Sequence, residues 1–310
     1  MRDSRLRRSA RWLVTSDRVA DLVGSGGHLE EVVDRFIAGD HPAEAIVVAL
    51  DRVSKGLDVS FTQAVGSSVN LPDPDAITAD YLEVVRLAAA SGLKGFDVSV
   101  SAHGLGLDVG DVEGARERIG RVASAVEGVG AHITMGMGRA DQIEDTLDLA
   151  RSLRPQHPGL GITLQANLRR SARDLSEFLA EGSRVRVVKG AYQTPVEERW
   201  DTSHQVDRAY VRMLRTLMES PATPLVASHD PRIVSITHEL VRRSDRSRDD
   251  YEFQMLMGVR PLEHRRLVDT GRPLRVSIPY GRAWYDYLAD RVIDNPDMLR
   301  KVLRQLLSRR

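Results

Sequence analysis

Cysteine is absent from all 310 residues, which excludes disulfides, thiolate zinc sites and a cysteine nucleophile. Aromatic residues are scarce, and no uncharged run approaches the length of a membrane span. The opening MRDSRLRRSARWLV is basic but lacks the apolar stretch of a secretory leader, so the sequence reads as cytoplasmic, without a transmembrane segment. Net charge is missing as well. The 44 Lys and Arg residues balance 44 Asp and Glu residues, which leaves no basic excess for a nucleic-acid backbone and removes nucleic acid from the expected partners. Neither a P-loop nor a G-x-G-x-x-G run occurs, so a Rossmann-type nucleotide site is not expected.

What is present is a chain 42% hydrophobic and 28% charged, the balance of a globular protein with a covered core. Short Val/Ile-rich runs begin at Leu57 (LDVSF), Phe96 (FDVSVSA), Ala131 (AHITMGMG), Leu160 (LGITLQA), Val185 (VRVVKGAY), Pro224 (PLVASHD), Tyr251 (YEFQML) and Arg275 (RVSIPYG). Their starts lie 24 to 39 residues apart, room for one helix and two short loops each time. The stretches between them, such as DVEGARERIGRVASAVEGV and DQIEDTLDLARSL, space apolar residues at helical intervals with charges opposite. Eight such units predict an α/β fold, a (βα)8 TIM-like barrel over residues 56–310. Residues 1–55 read as an N-terminal helical arm that covers a flank or plugs the barrel floor, and the mixed-charge run RRSDRSRDD, residues 242–250, as a solvated loop without chemistry.

The run RVRVVKGAY departs from a buried strand by carrying Arg184, Arg186 and Lys189. Both faces of a parallel barrel strand are covered, so such a charge must emerge at the C-terminal mouth or find a partner. Arg186 and Lys189 differ by an odd number and point to opposite sides. Lys189 can escape at the strand end, whereas Arg186 needs a partner or a ligand. Polar residues recur near the ends of other strands: Gln165 on the fourth, Ser228 and His229 on the sixth, Glu252 and Gln254 on the seventh. A mouth lined in this way suits a large cofactor rich in hydrogen bonds. Gly190 and Ala191 allow close backbone approach to a planar ligand, and Tyr192 can cover a substrate.

Taken in order, RVRVVKGAY, LVASHD, YEFQMLMGVR and VSIPYGRAWYDYL resemble the signature segments of proline dehydrogenases of the monofunctional bacterial type, with the similarity running from about Leu57 to the C-terminus. The resemblance implies a distorted (βα)8 barrel with FAD at its mouth, Arg186 against the flavin near N5, and Met135, Gln165, Val188, Lys189, Gly190, Ala191, Ser228, His229 and Gln254 around the cofactor. Tyr192 and Leu256 would contact the substrate ring, and hydride would pass from the carbon beside nitrogen to the flavin, leaving an imine. It further implies a small-molecule amine substrate and a quinone or other electron acceptor, the former bringing a peripheral contact with a membrane.

Three positions leave the family pattern. Of two adjacent arginines that clamp the substrate carboxylate, this chain has Asp290 followed by Arg291; a supporting lysine aligns with Ser101 and an aspartate with Thr134. Loss of cations and gain of an anion weaken the hold on a carboxylate, so the expected substrate is L-proline or a related secondary amine that need not carry a free carboxylate. Asp290 then meets a substrate ammonium; alternatively it pairs with Arg291 or Lys301 and proline remains the substrate. Two other readings stay open: a non-catalytic flavin-binding or partner-binding homologue, and a metal-dependent barrel hydrolase drawing on His103, His132 and His229, although no H-x-H pair occurs.

Overall fold

The structure is a computed structural model that describes residues 34–65, 72–190, 194–285 and 287. Eight strands, β1 (Asp58–Gln63), β2 (Asp97–Val100), β3 (His132–Met135), β4 (Gly161–Gln165), β5 (Arg184–Val188), β6 (Thr223–Ala227), β7 (Glu252–Leu256) and β8 (Leu274–Tyr280), close into a ring in sequence order with every neighbour parallel. Each expected Val/Ile-rich run becomes one of these strands. The described helices are α1 (Pro42–Ser54), α2 (Pro74–Ala90), α3 (Val112–Gly128), α4 (Ile143–Leu153), α5 (Ser171–Leu175), α6 (Ser203–Met218), α7 (Pro231–Arg243) and α8 (Pro261–Asp269). Their starts are set locally. Asp73 and Asp230 accept from the second backbone N–H of α2 and α7 and are each followed by proline, while Thr202 and Gln205 form a capping box on α6.

The ring is uneven. β1 and β8 are registered over their full shared length, from Asp58↔Arg275 to Gln63↔Tyr280, whereas β3 and β4 share only Thr134↔Gly161 and Met135↔Ile162. Outward-facing Phe61, Val98, Ile133, Val185, Phe253 and Ile278 are at most 1% exposed beneath the helix ring. Burial of a side chain of this size contributes about 1.5–3 kcal/mol, which is why these runs become strands whatever their other neighbours.

The inward face is polar. Period-two alternation and the strand registers put Asp97, His132, Arg184, Glu252 and Arg275 in one layer near the N-terminal end of the lumen. Arg275, 4% exposed, donates from Nε to Glu252 Oε1 at 2.9 Å, from Nη2 to Glu252 Oε2 at 3.0 Å, and from Nη1 to the carbonyl oxygens of Val59 and Gly95 at 2.9 Å each. One guanidinium thus joins β7, β8, β1 and the turn before β2.

Of the expected arm, residues 34–55 are described. α1 buries Ala45, Ile46 and Ala49 and runs outside β1 and β8. The segment ahead of it crosses the C-terminal end of β8: Ala38 N–H donates to Pro279 O at 2.8 Å and Gly39 O accepts from Gly281 N–H at 2.9 Å. Phe36 and Ile37 pack there with Val259 and Leu256. The run at residues 242–250 is mostly exposed, as expected of a solvated segment, and its first two residues close α7. Its Arg246 is half-buried and donates to the carbonyl oxygens of Leu217 and Met218, the last turn of α6, where a cation is favoured. No helix among the described residues is long and apolar enough to cross a membrane.

Replacing Arg275 by Met takes away the main partner of the Glu252 carboxylate and leaves it only Arg184 Nη2, at 3.4 Å, as a counter-charge, so a loss of up to about 5 kcal/mol in urea-unfolding stability is expected. Glu252→Gln/Arg275→Met should recover part of it, because the poorly compensated carboxylate has gone.

Candidate active site

Above the ionic layer the lumen is lined by hydroxyls, and Arg186 stands among them. On β5, Val185 and Val187 are fully buried outward, so Arg184, Arg186 and Val188 face in. Arg186 Nε donates to Thr163 Oγ1 and Nη2 to Ser99 Oγ, both at 2.8 Å, so two hydroxyls on β4 and β2 hold the guanidinium across the barrel. Thr62 and Ser277 pair at 3.0 Å between β1 and β8. Among the described inward-facing residues above the ionic layer, Arg186 is the one charged side chain.

Lys189 follows the end of β5 and leaves the lumen. Its Nζ lies 2.5 Å from Asp207 Oδ1 on α6 and 2.8 Å from Asp230 Oδ2 at the start of α7, and Arg232 bridges the same two carboxylates. Hydrogen bonds from Arg232 and then Lys189 outweigh burial and hold the Asp230 carboxyl well below the usual carboxylate range.

Around the mouth, several polar groups have their hydrogen-bonding sense fixed by a neighbour. Gln165 Nε2 donates to Gly138 O at 3.0 Å. His229 Nε2 accepts from Leu256 N–H at 2.9 Å, which puts the proton of the neutral ring on Nδ1, and its carbonyl accepts from Arg260 Nη1 at 2.6 Å. Ser228 Oγ accepts from Asp230 N–H at 3.2 Å. Gln254 Nε2 donates to Glu252 Oε1 at 2.6 Å. Burial would raise the Glu252 carboxyl, but the Arg275 and Arg184 guanidiniums overcome it and keep the group ionised.

The remaining expected positions scatter. Thr134 is buried in the lumen, but its hydroxyl donates to Asp97 Oδ1 at 2.6 Å and belongs to the ionic layer. Met135 alternates to the helix side of β3 and is fully buried. Ser101 lies beyond β2, where its N–H donates to the Tyr81 hydroxyl at 3.3 Å; the serine that meets Arg186 is Ser99, two residues earlier. Val188 and Leu256 end their strands half-buried on the inner face, and Gly190 follows with φ +100°, a conformation that favours glycine. Ala191, Tyr192, Asp290 and Arg291 lie outside the described residues. Sequence reasoning passed over Ser99, Thr163, Asp207, Asp230 and Arg275. For the first two the signal was the polar residue at every second position of DVSV and GITLQ.

The histidines proposed for a metal do not converge. His132 opens β3 at one end of the barrel, His229 follows β6 at the other, and His103 pairs through Nδ1 with Asp108 at 3.0 Å. No group of three or more metal-ligand side chains occurs among the described residues.

The family model described as proline dehydrogenase matches residues 45–303. Among curated relatives, the chain is 26% identical over 276 residues to proline dehydrogenase 1 of Bacillus subtilis (strain 168), covering 89% of this chain and 90% of the relative. It is 28% identical over 285 residues to proline dehydrogenase of Deinococcus radiodurans, again covering 89% and 90%. Among solved structures, proline utilization A from Bdellovibrio bacteriovorus, inactivated by N-propargylglycine, superposes with a TM-score of 0.78 at 20% identity over 88% of this chain and 34% of its own. Proline utilization A from Corynebacterium freiburgense gives 0.72 at 17% identity over 99% and 35%. The chain spans about a third of the length of those structures, and the likeness to them is one of fold.

The ionic layer also sets a pH response. Burial first, then the charges of Arg184 and Arg275, push His132 down from 6.5 to about 4, against the opposing pull of Asp97 and Glu252. A histidine held neutral in the fold but free to protonate when unfolded stabilises above 6.5 and loses that contribution as pH falls towards 4. Urea midpoints should therefore drop between pH 7 and pH 5, and drop less in His132→Gln; equal slopes would place the acid sensitivity elsewhere.

Proposed function

The chain belongs to the proline dehydrogenase family, and on that premise we propose that it is an FAD-dependent oxidoreductase oxidising the C–N bond of L-proline or a related cyclic secondary amine to an imine. The observation that carries the reading is Arg186, a strand residue whose guanidinium is turned into the lumen and held in place by Ser99 and Thr163. A fixed cation there is poised for an electron-rich ligand at the mouth.

The mouth residues fit such a cofactor. Asn167 Oδ1 is buried with no hydrogen-bond partner among the described residues, an acceptor suited to a ligand donor. A Cβ on Gly190 would collide with that same amide, so glycine at this position is what lets the Asn167 side chain lie against the end of β5. Gln165, Arg186, Val188, Gly190, Ser228, His229 and Gln254 are the residues that would hold it, with Ala191 beside them in the chain. Lys189, committed to Asp207 and Asp230, acts by tying the start of α7 to the end of β5. FAD, when bound, supplies the two-electron acceptor for the C–N oxidation.

The chain's own contribution is positional and electrostatic. Arg186 offers a charge that needs no reorganisation because its hydrogen bonds to Ser99 and Thr163 are already made. Leu256, backed by Phe36, Ile37 and Val259, gives an apolar contact for a saturated ring and excludes water from that side. By the family resemblance, Tyr192 and Arg291 complete the substrate side, and the electrons leave to a quinone or another acceptor, the first implying a peripheral membrane contact. On the substrate, Asp290 stands where the family pattern has the first of two arginines and Ser101 where it has a lysine, which supports an amine whose carboxylate is absent or masked, as in an amide or thioester.

The experiment is anaerobic mixing of the purified protein with L-proline and, separately, L-prolinamide, followed through the oxidised-flavin absorbance. Faster bleaching by prolinamide is expected. Faster bleaching by proline overturns the masked-carboxylate part alone; a protein that carries no flavin overturns the reading as a whole.

A further inference from the structure

We propose that Glu252 is a positioning residue that fixes which end of the Gln254 amide meets the bound cofactor, so that Gln254 offers a carbonyl acceptor to an N–H of the ligand; the inference rests on the flavoenzyme reading above. Gln254 Nε2 donates to Glu252 Oε1 at 2.6 Å, and the two carboxylate oxygens also receive Arg275 at 2.9 and 3.0 Å. The Glu252 side chain is 8% exposed and that of Arg275 is 5%. An ionised carboxylate can only accept, so Gln254 must turn its NH2 towards the floor, leaving Oε1 as the atom it presents above. Gln165 is set in the same sense by a different device, since the Gly138 carbonyl that binds its Nε2 is also an acceptor only. The two glutamines, on β4 and β7, thus both offer oxygen to the mouth.

An ion pair in a packed lumen is no better for stability than well-packed apolar residues, so its presence directly beneath Gln254 asks for another role. Orientation supplies one. Arg275 demands an acceptor whatever stands at 252, because Val59 O and Gly95 O take its Nη1 hydrogens and leave Nε and Nη2 facing that side chain. In Glu252→Gln the new side chain must give its oxygen to Arg275 and its NH2 to Gln254. Gln254 then has to present oxygen downwards and NH2 upwards. A near-isosteric change one layer below the mouth, which also removes the negative charge facing Arg275 and Arg184, therefore reverses the hydrogen-bonding sense at the mouth without altering any group that touches the ligand.

The test is the affinity of the holoenzyme for FAD, read as flavin absorbance retained on ultrafiltration at graded dilution. Glu252→Gln should weaken FAD binding about tenfold or more, the scale of one good hydrogen bond turned into a clash of donors. In a Gln254→Met background the same substitution should cost nothing further, because the amide it controls has gone. Where Glu252→Gln does not fold, Glu252→Asp keeps the charge but withdraws the carboxylate by one methylene and should weaken FAD binding in the same Gln254-dependent way. Wild-type-like affinity in the folded variant, or an undiminished effect in the Gln254→Met background, overturns the proposal. A wild-type protein that holds no FAD overturns the flavoenzyme reading and this inference with it.

Discussion

The buried pair of Glu252 and Arg275 is the constraint around which the barrel is arranged. A parallel barrel ordinarily fills its lumen with branched apolar side chains, whereas this one seats an ionic layer there, and its Glu252 and Arg275 side chains are each less than a tenth exposed. Neither is tolerable alone. Arg275 can stay charged only because Glu252 and two backbone carbonyls surround it, and those carbonyls belong to β1 and to the turn before β2. Barrel closure and charge satisfaction are the same geometric condition, which accounts for the full-length register at the seam of β1 and β8.

The layers above follow from that floor. Asp97 gathers the hydroxyls of Ser60 and Thr134, at 2.7 and 2.6 Å, so those side chains are spent low in the lumen. Ser99 and Thr163 remain for Arg186, and the guanidinium comes to rest between β2 and β4. An arginine whose guanidinium is fixed by hydroxyls on two strands is already oriented before a ligand arrives, the condition under which its charge acts without reorganisation. The neighbouring cation, Lys189, shows the contrast: two carboxylates bind it, and its effect is to join β5 to α6 and α7.

The barrel was legible in the sequence because each strand had to bury one face under a helix, and the Val/Ile runs announce that burial wherever they occur. The divergence of Arg186 and Lys189 was legible for the same reason, from parity alone. Less legible were the partners. Lys189 meets carboxylates 18 and 41 residues away, and Arg275 meets a backbone oxygen 216 residues away, separations at which no local pattern connects them. Ser99 was passed over although it sits on the polar phase of DVSVSA, because only the reach of Arg186 across the barrel shows which side chain meets the guanidinium. Thr134 shares the lumen with Arg186, yet Asp97 claims its hydroxyl, a choice set by strand stagger and not by residue type.

The proposed function requires Arg186 to act on a bound flavin. The most direct measurement is the reduction potential of the bound FAD in the wild-type protein and in Arg186→Met, by equilibrium dye titration. Removal of a fixed cation should make the flavin harder to reduce, so a clearly more negative potential in Arg186→Met is predicted. An unchanged potential, with FAD still bound, would mean that the guanidinium does not face the flavin and would contradict the account.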